Sequence, residues 1–310
     1  MHLFHNLPTE YEKMSRPKRH HFVPASYLAR FTKSDSGVLY VLDMEKNEIR
    51  KQKPKNVLFI KDYYRQEHAP EGVDENIFEK TLGILLEAKA KPAIDKLIND
   101  VRTLNEVDCA VLLSYLHFQR IRVPRQIEKY REFLKTFVES LAYSDPEIAK
   151  DLAEGRYEIE IKEEAKFKFM KDTGDLYTKA FARMIWKMSE APKSTRLVTT
   201  DSPVSFVHPK FHLPLEADID LIGTMVLYPL SSTHLLVLNH PELDSNPESN
   251  CMDKVPINDW ETGGYLKVRS GRLLTDDQVE ATNDVLAKLA DRYVIADYES
   301  ILKRLLEDIK

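Results

Sequence analysis

The sequence predicts an α+β fold, with a central helical block between N-terminal and C-terminal β-rich segments and a C-terminal helix. Three observations carry this. Short apolar runs such as "GVLYVLD" and "HLLVLN" lie toward the two ends of the chain. Apolar residues at three- and four-residue steps fill the middle. There is no βαβ alternation, and only nine glycines, none in a nucleotide-loop pattern, are spread over 310 residues.

Residues 1–18 read as a loose N-terminal arm, because Pro8 and Pro17 interrupt scattered apolar positions. Residues 19–310 read as a single α+β domain, since no flexible linker divides them. "SYLARF" suits a short helical turn. "SGVLYVLDMEKNEIRKQ" suits a hairpin, with a strand at 38–42 and a turn near 45–47. "PKNVLFIKDYYRQ" adds an apolar step ending in paired tyrosines. Residues 74–98 carry a helical stripe through Leu82, Leu86, Ala93 and Leu97, which Pro92 bends or divides. Residues 106–123 are apolar on several faces and read as a buried helix. Pro124 suits the first turn of the next helix, over 125–141. Further helices are expected at 147–152 and 177–189. The period of "EGRYEIEIKEEAKFKFMKD" fits either a surface strand or a polar helix.

After Pro192 the texture becomes strand-like. "RLVTTDSPVSFVHP" reads as two short strands joined by a turn, and "GTMVLYPLSSTHLLVLNH" as a hairpin with strands at 224–229 and 234–239. "GYLKVRSG" reads as a further edge. Thr275 and Gln278 form a capping-box pattern that starts a helix.

Hydrophobic residues make up 43% of the chain, enough for a sizeable core. The net charge of −5 argues against a globally basic nucleic-acid binder but leaves room for a local basic groove. The two cysteines, Cys109 and Cys251, are too few and too far apart for a disulfide scaffold or a close zinc-ligand pair. No apolar run has membrane-spanning length, and "MHLFHNLPTEYEKM" lacks a signal-peptide pattern. A cytoplasmic location is the expectation.

"HHFVPASYLARF", "GVLYVLD", "PKNVLFIKDYY", the helix around Glu79 and Glu87, "QRIRVPR", "TTDSPV" and "NDVLAKLADRYV" follow one another in order. Together they resemble the microbial family called domain of unknown function 4238, over residues 19–294. The double histidine before Val-Pro is the most specific segment. Ala25 departs from the pattern, which leads one to expect a polar residue after the proline. The resemblance implies a fold family and supplies no mechanism.

Four residues are candidates for chemistry. His21 follows His20, and imidazoles serve as bases, acids or metal ligands near neutral pH. Adjacent strand residues point to opposite faces, so the pair is not expected on one metal. Of the two, His21 is expected to face the core or cleft, because it leads directly into "FVP". The bland alternative is a pair of hydrogen-bonding residues at a strand start. Glu79 shares a helix side with Glu75, Leu82 and Leu86, so its carboxylate lies beside the apolar stripe and needs a partner. Arg122 is the first choice for that partner and Arg30 the second, with Glu87 falling to the flank. Arg122 also has the fork that clamps phosphate or carboxylate. Asp201 sits in a turn beside Thr199, Thr200 and Ser202, placed for function or for ordinary backbone capping. Gln119 shares a face with Leu112 and Leu116. Asn283 lies inside the last capped helix, facing a buried partner or solvent. Arg16, Lys18, Arg19 and Arg30 make the N-terminal region locally positive.

These residues motivate a hydrolase acting on a phosphate ester or nucleic acid. His21 would serve as base or ligand, Glu79 and Asp201 would activate water or hold a divalent metal, and Arg122 would stabilise negative charge. The alternatives are a noncatalytic nucleic-acid or protein-binding module and a defence-associated sensor or scaffold. Convergence of the four residues would favour the enzyme. Dispersed, mutually satisfied pairs would favour the scaffold.

Overall fold

A computed structural model describes residues 18–33, 36–66, 69, 71–243, 252–258 and 263–309. The expected N-terminal arm, apart from Lys18, lies outside the described residues, as does Cys251.

The chain opens with β1 (Arg19–His21) and a single helical turn, α1 (Ala25–Leu28). The hairpin follows as β2 (Leu39–Asp43) and β3 (Glu48–Gln52), paired antiparallel from Leu39↔Gln52 to Asp43↔Glu48. Its turn places Asn47 at φ 53°, a left-handed conformation that asparagine tolerates better than most residues. β4 (Phe59–Lys61) returns to pair with β1.

The helical block begins with α2 (Ile77–Thr81). It runs through a π-helical turn (Leu82–Glu87) into α3 (Ala88–Asn99). Pro92 stays inside α3, where it offers no N–H to the carbonyl four residues back. The irregularity lies one turn earlier, in the π turn. α4 (Glu106–Ile121) is capped by Asn105 and Asp108 in a reciprocal box, and most of its faces are buried. α5 (Pro124–Tyr143) starts at its proline as expected. α6 (Pro146–Ala153), α7 (Ala165–Asp172) and α8 (Gly174–Arg183) complete the block. The ambiguous segment after Gly155 therefore ends in a helix.

The helix expected over 177–189 stops early. Met184 turns extended, and β5 (Ile185–Glu190) follows. Both faces of β5 are largely buried, so Ile185 and Trp186 sit side by side and Ser189 is buried with Met188, which blurs the alternation of a strand. A segment without that alternation is easily read as helix. The remaining strands are β6 (Thr199–Thr200), β7 (Ser205–Val207), β8 (Met225–Ser231), β9 (His234–Asn239), β10 (Asp253–Pro256) and β11 (Tyr265–Leu273). α9 (Asp276–Leu289), β12 (Tyr293–Ala296) and α10 (Glu299–Ile309) end the chain. The capping box of Thr275 and Gln278 is present.

Among the described residues the strands form three sheets. The largest has the order β10-β11-β5-β9-β8-β7. β11 is thus interior rather than an edge, because β10 covers it; its other neighbour, β5, runs parallel to it. The second sheet, β3-β2-β12-β6, joins the N-terminal hairpin to the last strand. Here the two β-rich ends of the chain meet. The largest cluster of buried apolar side chains draws on residues from Phe22 to Ile295, with α4 contributing Cys109, Leu112, Leu113, Leu116 and Ile121, and a second cluster packs α9 and α10 against β12 through Leu286, Val294 and Leu302. No described helix is long and apolar enough to cross a membrane.

Candidate functional site

The strand β1 separates the two histidines by simple alternation. His20 is fully buried, and its Nδ1 accepts the Tyr64 N–H at 2.8 Å. Its ring stacks on that of Tyr64, with centroids 5.8 Å apart. His21 is only half-buried and tilts against Phe59. The expectation that His21 is the more inward of the two is therefore reversed. Its nearness to the candidate acids nevertheless holds, because its backbone N–H donates to the Glu79 carboxyl group. The His21 ring is tied to the Lys55 carbonyl, while Nε2 is buried without a partner. The ring nitrogen facing the carbonyl is then Nδ1, as the donor, which leaves a lone pair on Nε2. Burial lowers the imidazole pKa, and the charges of Arg122 and Arg19 push the same way.

Arg122 caps the C-terminus of α4 and is 1% exposed. Its partner is Glu87: Nη1 donates to Glu87 Oε1 at 2.9 Å. Glu79, the first choice from the sequence, is not its ion-pair partner, and Arg30 is taken by Asp95 at 2.6 Å. The π turn explains the difference. Eight ideal α-helical steps would put Glu87 about 80° around the helix from Glu79. A π turn advances less per residue because it closes i→i+5 bonds. It therefore draws Glu87 back toward the side that carries Glu79, where sequence periodicity places it on the flank.

Glu79 still feels both charges. Burial pushes its carboxyl group up to about 7, Arg122 pulls it down, and Glu87 raises it further. Burial opposes the charge on Arg122, but Glu87 outweighs it and keeps the guanidinium firmly protonated. Nε and Nη2 of Arg122 are buried without hydrogen-bond partners. One turn back, Gln119 is fully buried, and neither of its amide atoms has a partner. The inward amide expected from the sequence is present.

Tyrosines line the rest of this cluster. Tyr64 Oη donates to the Arg122 carbonyl at 3.2 Å. Tyr115 is coupled to Glu87, Arg122 and Tyr228. Tyr27 stacks on Tyr228 at 5.4 Å and donates to the Pro229 carbonyl at 2.7 Å. Burial raises all four phenols, so they remain protonated donors. In the sequence Tyr64 is visible only as one of the paired tyrosines that end an apolar step, and Tyr27, Tyr115 and Tyr228 carry no mark of their own. Their spacing is that of ordinary apolar packing, and the sequence carries no polar signal for them.

Asp201 has a different set of partners. Its carboxylate accepts the N–H groups of Asp291, Arg292 and Tyr293 at 2.9, 2.7 and 2.8 Å. It ties the turn after β6 to the start of β12. Burial pushes it up to about 6 against the pull of those three donors. No hydrogen bond or ion pair joins it to His21, Glu79 or Arg122 among the described residues.

Arg120, two residues before Arg122, points away, as helix geometry requires. It forms a closed pair with Glu216 at 2.6 and 3.1 Å, lies 4.0 Å from the Phe206 ring centroid, and bonds the Val204 carbonyl. No local pattern marks Glu216 as its partner, because the two lie far apart in the chain. Asn283 is buried and bridges the Val198 N–H and the Arg196 carbonyl. Among the described residues no group of three His, Cys, Asp or Glu side chains is arranged to hold a metal ion.

A family model described as "Protein of unknown function (DUF4238)" matches residues 19–300. The chain belongs to this family. No curated protein and no solved structure matches the chain. The DUF4238 match runs from β1 into α10 and includes His21, Glu79, Glu87, Arg122 and Asp201.

Proposed function

We propose that the cluster of His21, Glu79, Glu87 and Arg122 is a hydrolytic site for a phosphate ester, with nucleic acid as one form of that substrate. The observation that carries this reading is the Glu79 carboxyl group, held near 7 beside a buried guanidinium with unpartnered Nε and Nη2 donors. A group that titrates near neutral pH can move a proton at working pH. Free donors of an arginine suit the developing charge on phosphoryl oxygens.

The two titrating groups divide the work. Neutral His21, with the lone pair on Nε2, takes the proton of the attacking water. Protonated Glu79 gives its proton to the departing ester oxygen. Environments that push two groups in opposite directions supply such an acid–base pair. Glu87 keeps Arg122 charged and oriented and takes no proton. His21 and Glu79 are only partly buried and the Glu87 side chain is 21% exposed, so solvent reaches this edge of the cluster, and the edge must open for substrate and water to meet the buried His21 Nε2 and Arg122 donors. Asp201 is left out of the chemistry, since three backbone donors occupy it.

A screen of phosphomonoesters, phosphodiesters and single- and double-stranded nucleic acids tests the proposal, with His21→Gln and Glu79→Gln run alongside. Loss of turnover in both variants, with unchanged circular dichroism, is the expected result. Full activity in either folded variant removes that residue from the chemistry. A noncatalytic scaffold predicts that neither variant changes any function while both change stability.

A further inference from the structure

We infer that the cleft between the N-terminal hairpin and the start of α5 is a binding site for a small organic anion: a flat apolar body bearing one phosphate or carboxylate group. The cleft encloses about 330 Å³, within the size range of small-molecule sites. Its walls are mainly apolar and include Phe22, Val57, Leu58, Pro124 and Tyr293.

Its charges are unbalanced. Arg50 lines the cleft and has no ion-pair partner among the described residues, and its Nε is buried without a hydrogen bond. Its guanidinium is fixed 5.6 Å from the centroid of the Tyr293 ring. Arg125 stands at the N-terminus of α5, and among the described residues its guanidinium bonds only the Leu289 carbonyl, at 2.5 Å. The other charges present are largely spent. Arg292 is clamped by Asp43 at 2.9 and 2.7 Å and by Glu45, and Asp201 by its three N–H donors. Asp291 lies at the exposed rim, and the cleft lining carries three arginines against two aspartates. Among the described residues the guanidinium donors of Arg50, and those that Arg125 does not spend on the Leu289 carbonyl, stand unengaged beside an apolar wall. That combination fits an anion attached to an apolar body better than inorganic phosphate or a neutral nucleoside.

The wall is also held in an uncommon backbone conformation. Leu58 stands at φ 53°, where a branched apolar residue is a genuine outlier. Its carbonyl accepts the Phe22 N–H at 3.1 Å, so the two walls are fixed together. Outliers of this kind gather at ligand clamps as well as at reacting sites. Asp201 acquires a role here: it holds the segment that presents Tyr293 to Arg50. The inference concerns binding alone and stands whether or not the His21–Glu79 cluster is catalytic.

Isothermal titration of the full chain with adenosine monophosphate, indole-3-acetate, adenosine and inorganic phosphate tests it. At least one of the two organic anions is expected to bind at least tenfold tighter than adenosine and than phosphate. Binding by both shows that the site accepts either head group, and binding by one identifies which. Arg50→Gln and Arg125→Gln should each weaken binding tenfold or more, and Arg50→Lys should restore part of the loss. Neither glutamine variant removes an ion pair among the described residues, and near-ultraviolet dichroism checks that each stays folded. No binding of either organic anion, or binding untouched by both glutamine variants, overturns the inference.

Discussion

Replacing Glu87 by glutamine removes the charge that Arg122 faces and keeps the volume of the side chain. Arg122 is 1% exposed, and among the described residues Glu87 supplies its only side-chain hydrogen bond. Breaking a fully buried pair costs roughly 3–5 kcal/mol, because the remaining charge is left without compensation. The Glu87 side chain is 21% exposed, so water relieves part of that penalty. The expected loss is about 2–3 kcal/mol. For a chain of 310 residues, an unfolding entropy of about 2.1 cal/mol/K per residue converts this to a fall in Tm of roughly 3–5 °C. Scanning calorimetry with urea denaturation at pH 8 measures both quantities. A double-mutant cycle with Arg122→Met should give a larger coupling for Glu87 than for Glu79. A loss under about 0.5 kcal/mol, or a stronger coupling to Glu79, would refute the assignment of Glu87 as the partner.

Glu79→Gln should act in the opposite sense. Its folded pKa of about 7 lies above the value of an unfolded chain, so its contribution is fully present at low pH and is lost as pH rises toward 7. The variant should equal or exceed the parent in stability at pH 8 and show a flatter pH dependence between about 4.5 and 7 in urea titrations, whereas destabilisation at pH 8 would contradict the burial argument. Asp201→Ala should cost about 2–3 kcal/mol by leaving the N–H groups of residues 291–293 unpaired, and hydrogen exchange should quicken there first. We further propose that residues 19–310 form one domain. Limited proteolysis should then yield no independently folded half, whereas two stable halves without a mutual interface would exclude this.

How much of this was legible in the sequence depended on whether the signal was local. The α4 cap, the capping box of α9, the start of α5 at Pro124 and the first hairpin all follow from residues within a few positions of each other. The inward Gln119 followed from helix period in the same way. β5 was misread because a strand buried on both faces loses its alternation. The partner of Arg122 was misassigned because a π turn shifts helix phase without a sequence mark. His20 and His21 were exchanged because alternation says that they differ and not which one faces inward. Asp201 could be placed in a turn, but its three donors come from the far end of the chain and no local pattern announces them. The cleft has no local sequence mark for a related reason. Arg50, Arg125 and Tyr293 lie on separate elements, and only the sheet joining β2 to β12 brings them together.

Glu79 is proposed to donate a proton beside Arg122 during phosphate-ester hydrolysis. The most direct test is the pH dependence of kcat/KM for hydrolysis of the best substrate from the screen, measured for the parent protein and for Glu79→Gln. The account predicts a parent rate that falls above pH 7 as Glu79 loses its proton, and a variant rate at least a hundredfold lower with that limb absent, the typical minimum for a lost general acid. A parent rate that rises through pH 7, a variant as fast as the parent, or no turnover of any phosphate ester would contradict it.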